Sequence, residues 1–367
     1  MRIQAAIAKQ RGGPFVLGGA DLDEPRPDEI LVRISAVGIC HTDLAFKDQD
    51  LGLALPAVLG HEGAGTVEKV GSDVTKVSPG DRVLLSFRSC GHCPRCETHD
   101  PGYCHQLAGM NFTGRRPDGS TALRDGDQEI SSAFFGQSSF ASHALAYERN
   151  VIKVADDAPL ALYAPLGCGV QTGAGAILRS LECKPGRSLV VIGAGTVGLS
   201  AVMAARVAGL GPIIVIDPLE ARRQAALSCG ATDVLDSAAD EVGAKVREIV
   251  PAGADYAFDT SGHPAAIEQA IGYLGPKGAL GLVGVPKDIS AVLPLSLALA
   301  VGAGLTVRGI IEGDSDPDVF IPDLIALHRE GRFPLEQLVT VYPFEQINEA
   351  VTDQHHGRVV KAVLSFD

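Results

Sequence analysis

The sequence has no tryptophan, only three methionines and few aromatic rings, with 12 phenylalanines and 6 tyrosines in 367 residues. A core with so few rings must be mainly aliphatic, and hydrophobic residues of all kinds make up 46% of the chain. Charged residues are also few, at 20%. Low charge and high hydrophobic content exclude a disordered chain and indicate a globular protein. The length favours two domains, because domains commonly hold ~100–200 residues.

Basic residues are outnumbered, with 31 Lys and Arg against 44 Asp and Glu and a net charge of −13. Without a basic run, so acidic a chain is a poor partner for nucleic acids and anionic membranes. The first ten residues have no apolar stretch long enough for a signal peptide. Two uncharged windows, residues 188–205 and 289–307, contain glycines or proline and are interpreted as buried α/β segments rather than membrane spans. The sequence therefore predicts a soluble, cytoplasmic protein.

Strand-like and helical segments alternate in the middle of the chain. Residues 189–192, 213–216, 255–259 and 279–283 have strand character, with helical segments between them. Such alternation predicts a parallel sheet with helices on both faces. Residues before and after this part show period-two apolar patterns and glycine or proline turns, and the polar stretch 115–128 is predicted to be an exposed loop. The predicted fold class is α/β, with a doubly wound domain (170–311) inserted into a β-rich domain (1–169 and 312–367).

A glycine-rich turn follows the first strand of the central domain. Gly193, Gly195 and Gly198 form G-x-G-x-x-G between the strand and a helix, where glycines permit the tight turn and close approach to a pyrophosphate. Asp217 follows the next strand, 19 residues beyond Gly198, where a carboxylate binds the adenosine ribose. This arrangement predicts a Rossmann nucleotide site with NAD preferred over NADP. Arg222 is either a ligand of the adenosine or a solvated helix cation.

Four cysteines lie within one short loop, spaced C-x2-C-x2-C-x7-C at Cys90, Cys93, Cys96 and Cys104. In a reducing compartment this clustering favours a metal over disulfides. Four thiolates suit tetrahedral zinc with no open position, so we expect a structural zinc in the loop 88–106. Independent buried cysteines are the alternative.

Three further motifs carry cysteine or histidine: Cys40-His41-Thr42-Asp43, Gly60-His61-Glu62-Gly63 and Gly167-Cys168-Gly169. Together with the cysteine loop and the glycine turn, and in this order, they resemble the zinc-dependent medium-chain alcohol dehydrogenases. The segments CHTDLAFKDQ, LSFRSCGHCPRC and FFGQSSFASHAL are similar to bacterial aryl-alcohol (benzyl alcohol) dehydrogenases. The resemblance implies that the β-rich domain is a GroES-like catalytic domain.

The resemblance also implies a second, catalytic zinc held by Cys40, His61 and Cys168. Glu62 then lies behind the metal, and Asp43 orients the His61 imidazole unless it only caps a helix. Thr42 takes the proton of the alcohol, and His41 contacts the pyrophosphate of the cofactor. Ala45 stands where many relatives have a histidine that passes this proton to solvent, so the route of proton exit stays open.

Further residues match the cofactor and substrate sites of the family. Thr172 and Val197 match positions against the nicotinamide, and Gly284, Val285 and Lys361 match positions that contact its amide and the phosphates. The expected substrate tunnel, for which ordinary core packing is the alternative, is lined by Phe87, Met110, Phe134 and Phe135. Glu312 matches a position near its mouth.

The expected function is reversible oxidation of aromatic or allylic primary alcohols by NAD, with two zinc ions per subunit. One alternative is an S-(hydroxymethyl)thiol dehydrogenase, for which Arg88, Arg115 and Arg116 are the nearby cations. Another is a non-catalytic nucleotide-binding relative. The apolar segment 293–307 matches the region that pairs relatives, which predicts a homodimer or homotetramer.

Overall fold

The computed structural model describes residues 1–239, 241–288 and 290–366. The chain forms two compact units, the first made of Met1–Cys168, Asp316–Ile325 and Val339–Asp367, and the second of Gly169–Ser315 and Ala326–Leu338. Residues 326–338 thus group with the second unit, whereas the sequence analysis assigned everything after residue 311 to the first domain.

The strands are β1 (Arg2–Ala8), β2 (Phe15–Leu22), β3 (Glu29–Gly38), β4 (Ala57–Val58), β5 (Glu62–Val70), β6 (Arg82–Leu85), β7 (Leu123–Asp125), β8 (Gln128–Ile130), β9 (His143–Tyr147), β10 (Val151–Val154), β11 (Leu189–Ile192), β12 (Ile213–Ile216), β13 (Asp233–Leu235), β14 (Ala254–Asp259), β15 (Leu274–Leu282), β16 (Thr306–Gly309), β17 (Val339–Pro343) and β18 (Lys361–Ser365). The helices are α1 (His41–Asp48), α2 (Pro94–Glu97), α3 (Leu107–Asn111), α4 (Leu160–Tyr163), α5 (Gly169–Gly175), α6 (Thr196–Val207), α7 (Glu220–Cys229), α8 (Val242–Ile249), α9 (Pro264–Tyr273), α10 (Leu297–Ala303), α11 (Pro317–Arg329) and α12 (Ile347–His355).

The first unit contains two mainly antiparallel sheets. One has the strand order β4-β1-β2-β7-β8, and the other runs β10-β6-β5-β3-β18-β17 with β9 beside β3. The long strand β3 is buried at most positions, because it lies inside its sheet and pairs with β5, β9 and β18. The Cys40 motif follows the end of β3, and His61 directly precedes the start of β5.

The second unit is built on a six-stranded parallel sheet of order β13-β12-β11-β14-β15-β16. Counted from β11, this is the order 3-2-1-4-5-6 of doubly wound nucleotide-binding domains. The central strands LVVI and IIVI are buried at every position, as both faces of such a sheet are covered by helices. The predicted Rossmann-type domain is confirmed.

Two expectations need correction. The stretch 115–128 is not simply an exposed loop, because β7 and β8 form a hairpin there and Arg116 is buried. The uncharged window 289–307 is not buried either: the exposed fractions of Val292, Leu297 and Val301 are 80%, 84% and 82%. Residue 289, where this window starts, lies outside the described residues. Across the described part of the chain, no helix has the length and hydropathy needed to cross a membrane.

Candidate active site and metal centres

Asp43 connects the motifs that contain Cys40 and His61. Cys40 is the N-cap of α1, and its backbone N–H donates to Asp43 Oδ2 at 2.9 Å. Asp43 Oδ1 accepts from the Gly60 N–H at 3.0 Å and lies 2.8 Å from His61 Nδ1. Gly60 has a φ of +88°, and a Cβ there would lie 2.5 Å from the Phe140 backbone nitrogen, so only glycine fits this turn. The aspartate is therefore more than a helix cap, because it also orients the imidazole.

Four potential metal ligands converge beside this turn. One donor atom from each of Cys40, His61, Glu62 and Cys168 lies within 4.8 Å of the others. Because Asp43 occupies Nδ1, the nitrogen left for a metal is His61 Nε2, which is buried and has no hydrogen-bond partner among the described residues. Sulfur and imidazole ligands are those that zinc prefers, so this donor set fits the ion.

The charges in the cluster favour the thiolate form of Cys40. A hydrogen bond with Cys168 lowers the pKa of the Cys40 thiol well below its usual range, and the nearby His61 lowers it further. Burial lowers the pKa of His61, but Asp43 and Cys40 more than offset this, so its pKa lies well above the ordinary value. Zinc binds the thiolate form of cysteine, so a thiolate already stabilised by a nearby cation is ready to bind the ion.

Lys361 faces Glu62 from the start of β18. Its Nζ lies 2.6 Å from Glu62 Oε2 and donates to the Ile39 carbonyl at 2.8 Å, and the residue is only 1% exposed. Burial raises the pKa of Glu62 to about 7 despite this ammonium group. The expected contact of Lys361 with cofactor phosphates stays a prediction.

Aromatic rings cover one side of His61. Phe135 stacks on the imidazole with ring centroids 4.2 Å apart, and Phe134 meets it edge-on at 5.7 Å. Phe46 and Phe112, which the sequence analysis did not identify, pack against these two rings at 5.0 and 5.4 Å. Phe135 has a φ of +52°, a left-handed conformation that is rare for a bulky residue and typical of functional sites.

The other two predicted tunnel residues are Phe87 and Met110. Phe87 is 2% exposed and belongs to the same apolar core cluster as Phe134 and Phe135, so its place in the tunnel stays a prediction. Met110 lines a separate cavity of about 170 Å³ with Arg88, Cys90 and Tyr147, next to the cysteine loop. This cavity contains none of Cys40, His61 and Cys168, and the expected place of Met110 in the tunnel stays a prediction.

The cysteine loop has the dimensions of a zinc site. Its sulfurs are separated by 3.6 Å (Cys93 and Cys96), 3.9 Å (Cys90 and Cys96) and 4.0 Å (Cys93 and Cys104). A regular tetrahedron with Zn–S bonds of ~2.3 Å has sulfurs about 3.8 Å apart. Backbone N–H groups of Cys90 and Gln106 point at Cys104 Sγ, as expected around a thiolate. All four cysteines are free of disulfides, so the residues fit the ion.

The glycine turn of the second unit begins at the end of β11. Gly193 has a φ of +93°, and a Cβ at Gly198 would lie 1.9 Å from the Gly193 carbonyl oxygen. Asp217, at the end of β12, accepts hydrogen bonds from the N–H groups of Ala194 and Leu219, both at 2.8 Å. This carboxylate thus holds the glycine turn itself, and each oxygen keeps room for a second donor.

Other predicted cofactor residues vary in exposure. Arg222 is half-buried on α7, and its neighbour Arg223, which the sequence analysis did not single out, donates to the Asp217 carbonyl at 2.8 Å. Thr172 on α5 is buried and donates to Glu312 at 3.4 Å. Glu312 is itself buried, which argues against its expected place at a tunnel mouth. The remaining positions are half-buried or exposed: Gly195, Val197 and Gly284 are half-buried, and Val285 is exposed.

His41 and Thr42 occupy the first turn of α1. His41 is exposed and Thr42 is half-buried. The Thr42 Oγ1 lies 3.8 Å from Cys40 Sγ, so the hydroxyl borders the metal-ligand cluster.

Comparison with known proteins defines the class. Residues 26–156 match the alcohol dehydrogenase GroES-like domain, and residues 196–327 match the zinc-binding dehydrogenase domain. Geraniol dehydrogenase of Castellaniella defragrans is 46% identical over 99% of this chain and 97% of that relative. An alcohol dehydrogenase zinc-binding domain protein from Burkholderia ambifaria matches with a TM-score of 0.97 and 48% identity, covering 100% of this chain and 99% of the other. For benzyl alcohol dehydrogenase of Acinetobacter calcoaceticus the TM-score is 0.96 at 40% identity, with 100% of both chains covered.

The chain therefore belongs to the zinc-dependent medium-chain alcohol dehydrogenases, with a GroES-like domain and a Rossmann-type domain.

Proposed function

We propose that the protein catalyses the reversible oxidation of aromatic and allylic primary alcohols to aldehydes, with NAD as the hydride acceptor. The observation that carries the proposal is the buried cluster of Cys40, His61 and Cys168 with the ring of Phe135 stacked on its imidazole. The cluster supplies ligands for a catalytic metal, and the rings supply a flat apolar surface beside it.

Two thiolates and one imidazole form the ligand set of a zinc site that keeps a position for substrate. Zinc held there would act as a Lewis acid and lower the pKa of an alcohol hydroxyl. Asp43 accepts the Nδ1 proton of His61, so Nε2 stays available as a ligand. The Thr42 hydroxyl borders the cluster and is the group that we propose accepts the proton of the alcohol. His41, exposed at the start of α1, is proposed to contact the cofactor pyrophosphate.

For the second unit we propose NAD as the cofactor. The N-terminus of α6 would direct backbone N–H groups at the pyrophosphate, and Gly193, Gly195 and Gly198 leave room for it. Asp217 would accept hydrogen bonds from the hydroxyls of the adenosine ribose and would repel a 2′-phosphate. Arg222, Thr172, Val197, Gly284 and Val285 complete the proposed cofactor contacts.

The substrate preference rests on the aromatic cluster. Phe46, Phe112, Phe134 and Phe135 contact one another and His61 in a chain that has few rings. Aromatic faces favour flat, unsaturated groups. The names of two relatives, geraniol dehydrogenase and benzyl alcohol dehydrogenase, refer to an allylic and a benzylic primary alcohol.

The alternative of a thiol-adduct dehydrogenase requires cations free to bind carboxylates. The three arginines considered for this are engaged within the chain. Arg116 is buried in a two-pronged ion pair with Glu29, at 2.7 and 2.8 Å. Arg115 pairs with Glu129, and Arg88 lies 3.3 Å from the centre of the Tyr147 ring. These pairings disfavour that alternative, and the complete ligand set disfavours a non-catalytic protein.

We further propose that the chain forms a homodimer or homotetramer through the second unit. β16 is the edge strand of the parallel sheet, and the segment before it exposes Val292, Leu293, Leu297, Leu299 and Val301. Exposed apolar patches of this kind mark interaction sites, and an unpaired sheet edge offers backbone hydrogen bonds to a second copy. Sedimentation that gives only monomers at working concentration would refute this assignment.

The proposed activity is tested by NADH formation with a panel of alcohols. We expect kcat/KM to be highest for benzyl alcohol and geraniol, lower for saturated straight-chain alcohols, and negligible for the formaldehyde adduct of glutathione. Highest activity with the thiol adduct would overturn the substrate assignment. No turnover of any alcohol by zinc-replete protein would overturn catalysis itself.

A further inference from the structure

A second polar cavity lies in the first unit, against the sheet that contains β3, β5 and β6. Its volume is about 410 Å³, within the ~300–1,000 Å³ of small-molecule sites, and none of the metal-cluster residues lines it. The side chains that matter here are those of Arg33, Ser35, Thr66 and Arg82.

Strand register brings two arginines to either side of one threonine. Arg33 on β3 is paired with Thr66 on β5, and Thr66 is paired in turn with Arg82 on β6. Directly paired residues of antiparallel strands point to the same face with Cβ atoms ~4.5–5.5 Å apart. The two guanidinium groups and the threonine hydroxyl therefore form a row across three neighbouring strands.

The two arginines differ in how their charge is balanced. Arg33 Nε lies 3.3 Å from Glu68 Oε1, and the other oxygen of Glu68 lies 3.3 Å from His143 Nε2. Arg82 donates through Nη2 to the Ala158 carbonyl at 2.7 Å, but its Nε is buried without a hydrogen-bond partner. Within the described residues no carboxylate forms an ion pair with Arg82, since the adjacent Asp81 is held by Lys153.

An unbalanced guanidinium is unusual in a chain whose net charge is −13. The Arg82 side chain is half-buried, and its buried Nε has lost hydration that no described residue replaces. Ser35 and Thr66, both half-buried, place hydroxyl groups at the same cavity. Potential hydrogen-bond donors thus line the cavity from three strands.

We propose that this cavity binds a phosphate group, carried by inorganic phosphate or by a small phosphate monoester. Arginine presents a fork of N–H donors that matches phosphate oxygens, and hydroxyls from two other strands supply donors in other directions. Glu68 does not oppose the anion fully, because Arg33 pairs with it at 3.3 Å. The site is independent of the proposed alcohol oxidation, which uses none of these residues.

Isothermal titration calorimetry of the full-length, zinc-loaded protein with sodium phosphate tests the proposal. The titration is run at constant ionic strength with saturating NAD, so that the nucleotide site cannot take the anion. We expect saturable binding at one site per subunit, weakened roughly tenfold or more by Arg82→Gln, which removes a charge-assisted contact. Thr66→Val, which leaves the bond from Arg82 to Ala158 in place, should weaken binding severalfold. Arg124→Gln, which alters a half-exposed arginine of β7, should have no effect.

The source of the phosphate group is distinguished by adding glycerol 3-phosphate. Displacement of inorganic phosphate by the monoester supports an organic ligand, and failure to displace it supports the free ion. Absence of saturable binding to the wild-type protein overturns the proposal. Equal affinities of the wild-type, Arg82→Gln and Thr66→Val proteins also overturn it, because the anion then binds elsewhere.

Discussion

Asp43 Oδ1 lies 2.8 Å from His61 Nδ1, and both side chains are completely buried. The same carboxylate accepts the backbone N–H groups of Cys40 and Gly60, so three donors converge on it. One aspartate therefore holds the imidazole and the backbone of the two loops that carry Cys40 and His61.

Asp43→Asn should weaken zinc binding at the cluster of Cys40, His61 and Cys168. The carboxylate accepts hydrogen bonds from three N–H groups, and the NH₂ group of asparagine would oppose one of these donors. Loss of the hydrogen-bond partner of a metal-binding histidine typically lowers metal affinity or activity 10–100-fold. Zinc content after dialysis against a chelator, measured with kcat/KM, checks this. Asp50→Asn, at a side chain that is 87% exposed, is the control. Equal zinc retention by both variants would contradict the role of Asp43.

Cys93→Ser should lower the melting temperature more than it lowers the kcat of the folded fraction. Its sulfur lies 3.6 Å from that of Cys96, within a closed set of four thiols that has no position for substrate. Metal analysis should find one zinc per subunit fewer than in the wild type. Cys183→Ala, at a buried cysteine outside both clusters, should keep the full zinc content. A loss of kcat in Cys93→Ser with an unchanged melting temperature would contradict a structural role for this site.

Asp217→Asn should raise the KM for NAD and lower its preference over NADP roughly tenfold, because a hydrogen bond to a charged acceptor is lost together with the repulsion of a 2′-phosphate. Dissociation constants for both nucleotides, measured by NADH and NADPH fluorescence, check the effect apart from catalysis. Glu220→Gln removes a nearby exposed carboxylate in the first turn of α7 and should leave the ratio unchanged. An unchanged ratio for Asp217→Asn removes the proposed role.

Phe135→Leu should lower kcat/KM for benzyl alcohol about two- to tenfold relative to a short saturated alcohol, because an aromatic contact is worth ~0.5–1.5 kcal/mol. Phe344→Leu is the matched control, since its buried ring stacks on Phe366 with centroids 4.2 Å apart. We expect that control to leave the ratio of the two substrates unchanged. The opposite pattern, with Phe344→Leu changing the ratio and Phe135→Leu leaving it unchanged, would place the substrate elsewhere.

Short-range spacing made much of the fold and site predictable. The four loop cysteines and the three glycines of the Rossmann turn lie close together in sequence, where their chemistry depends on local geometry. The alternation of strands and helices likewise predicted the parallel sheet, since each element forms from its own apolar pattern. His61 and Cys168 could be assigned only through the family resemblance, because they come together through the tertiary fold.

The features that could not be predicted from the sequence depend on long-range packing. Lys361 reaches Glu62 only because β18 pairs with β3, whose end faces the start of β5. Phe46 and Phe112 are separated by 66 positions along the chain and meet only in the folded unit, with ring centroids 5.4 Å apart. The apolar segment before β16 is exposed because it follows the edge of the sheet, a property that composition cannot distinguish from burial.

Metal analysis of the active enzyme and of Cys168→Ala tests the central claim most directly. We expect two zinc ions per subunit in the wild type, and one in Cys168→Ala, with its turnover abolished and its fold and cysteine-loop zinc retained. Full turnover by a protein that holds one zinc per subunit, bound only by Cys90, Cys93, Cys96 and Cys104, would contradict the account.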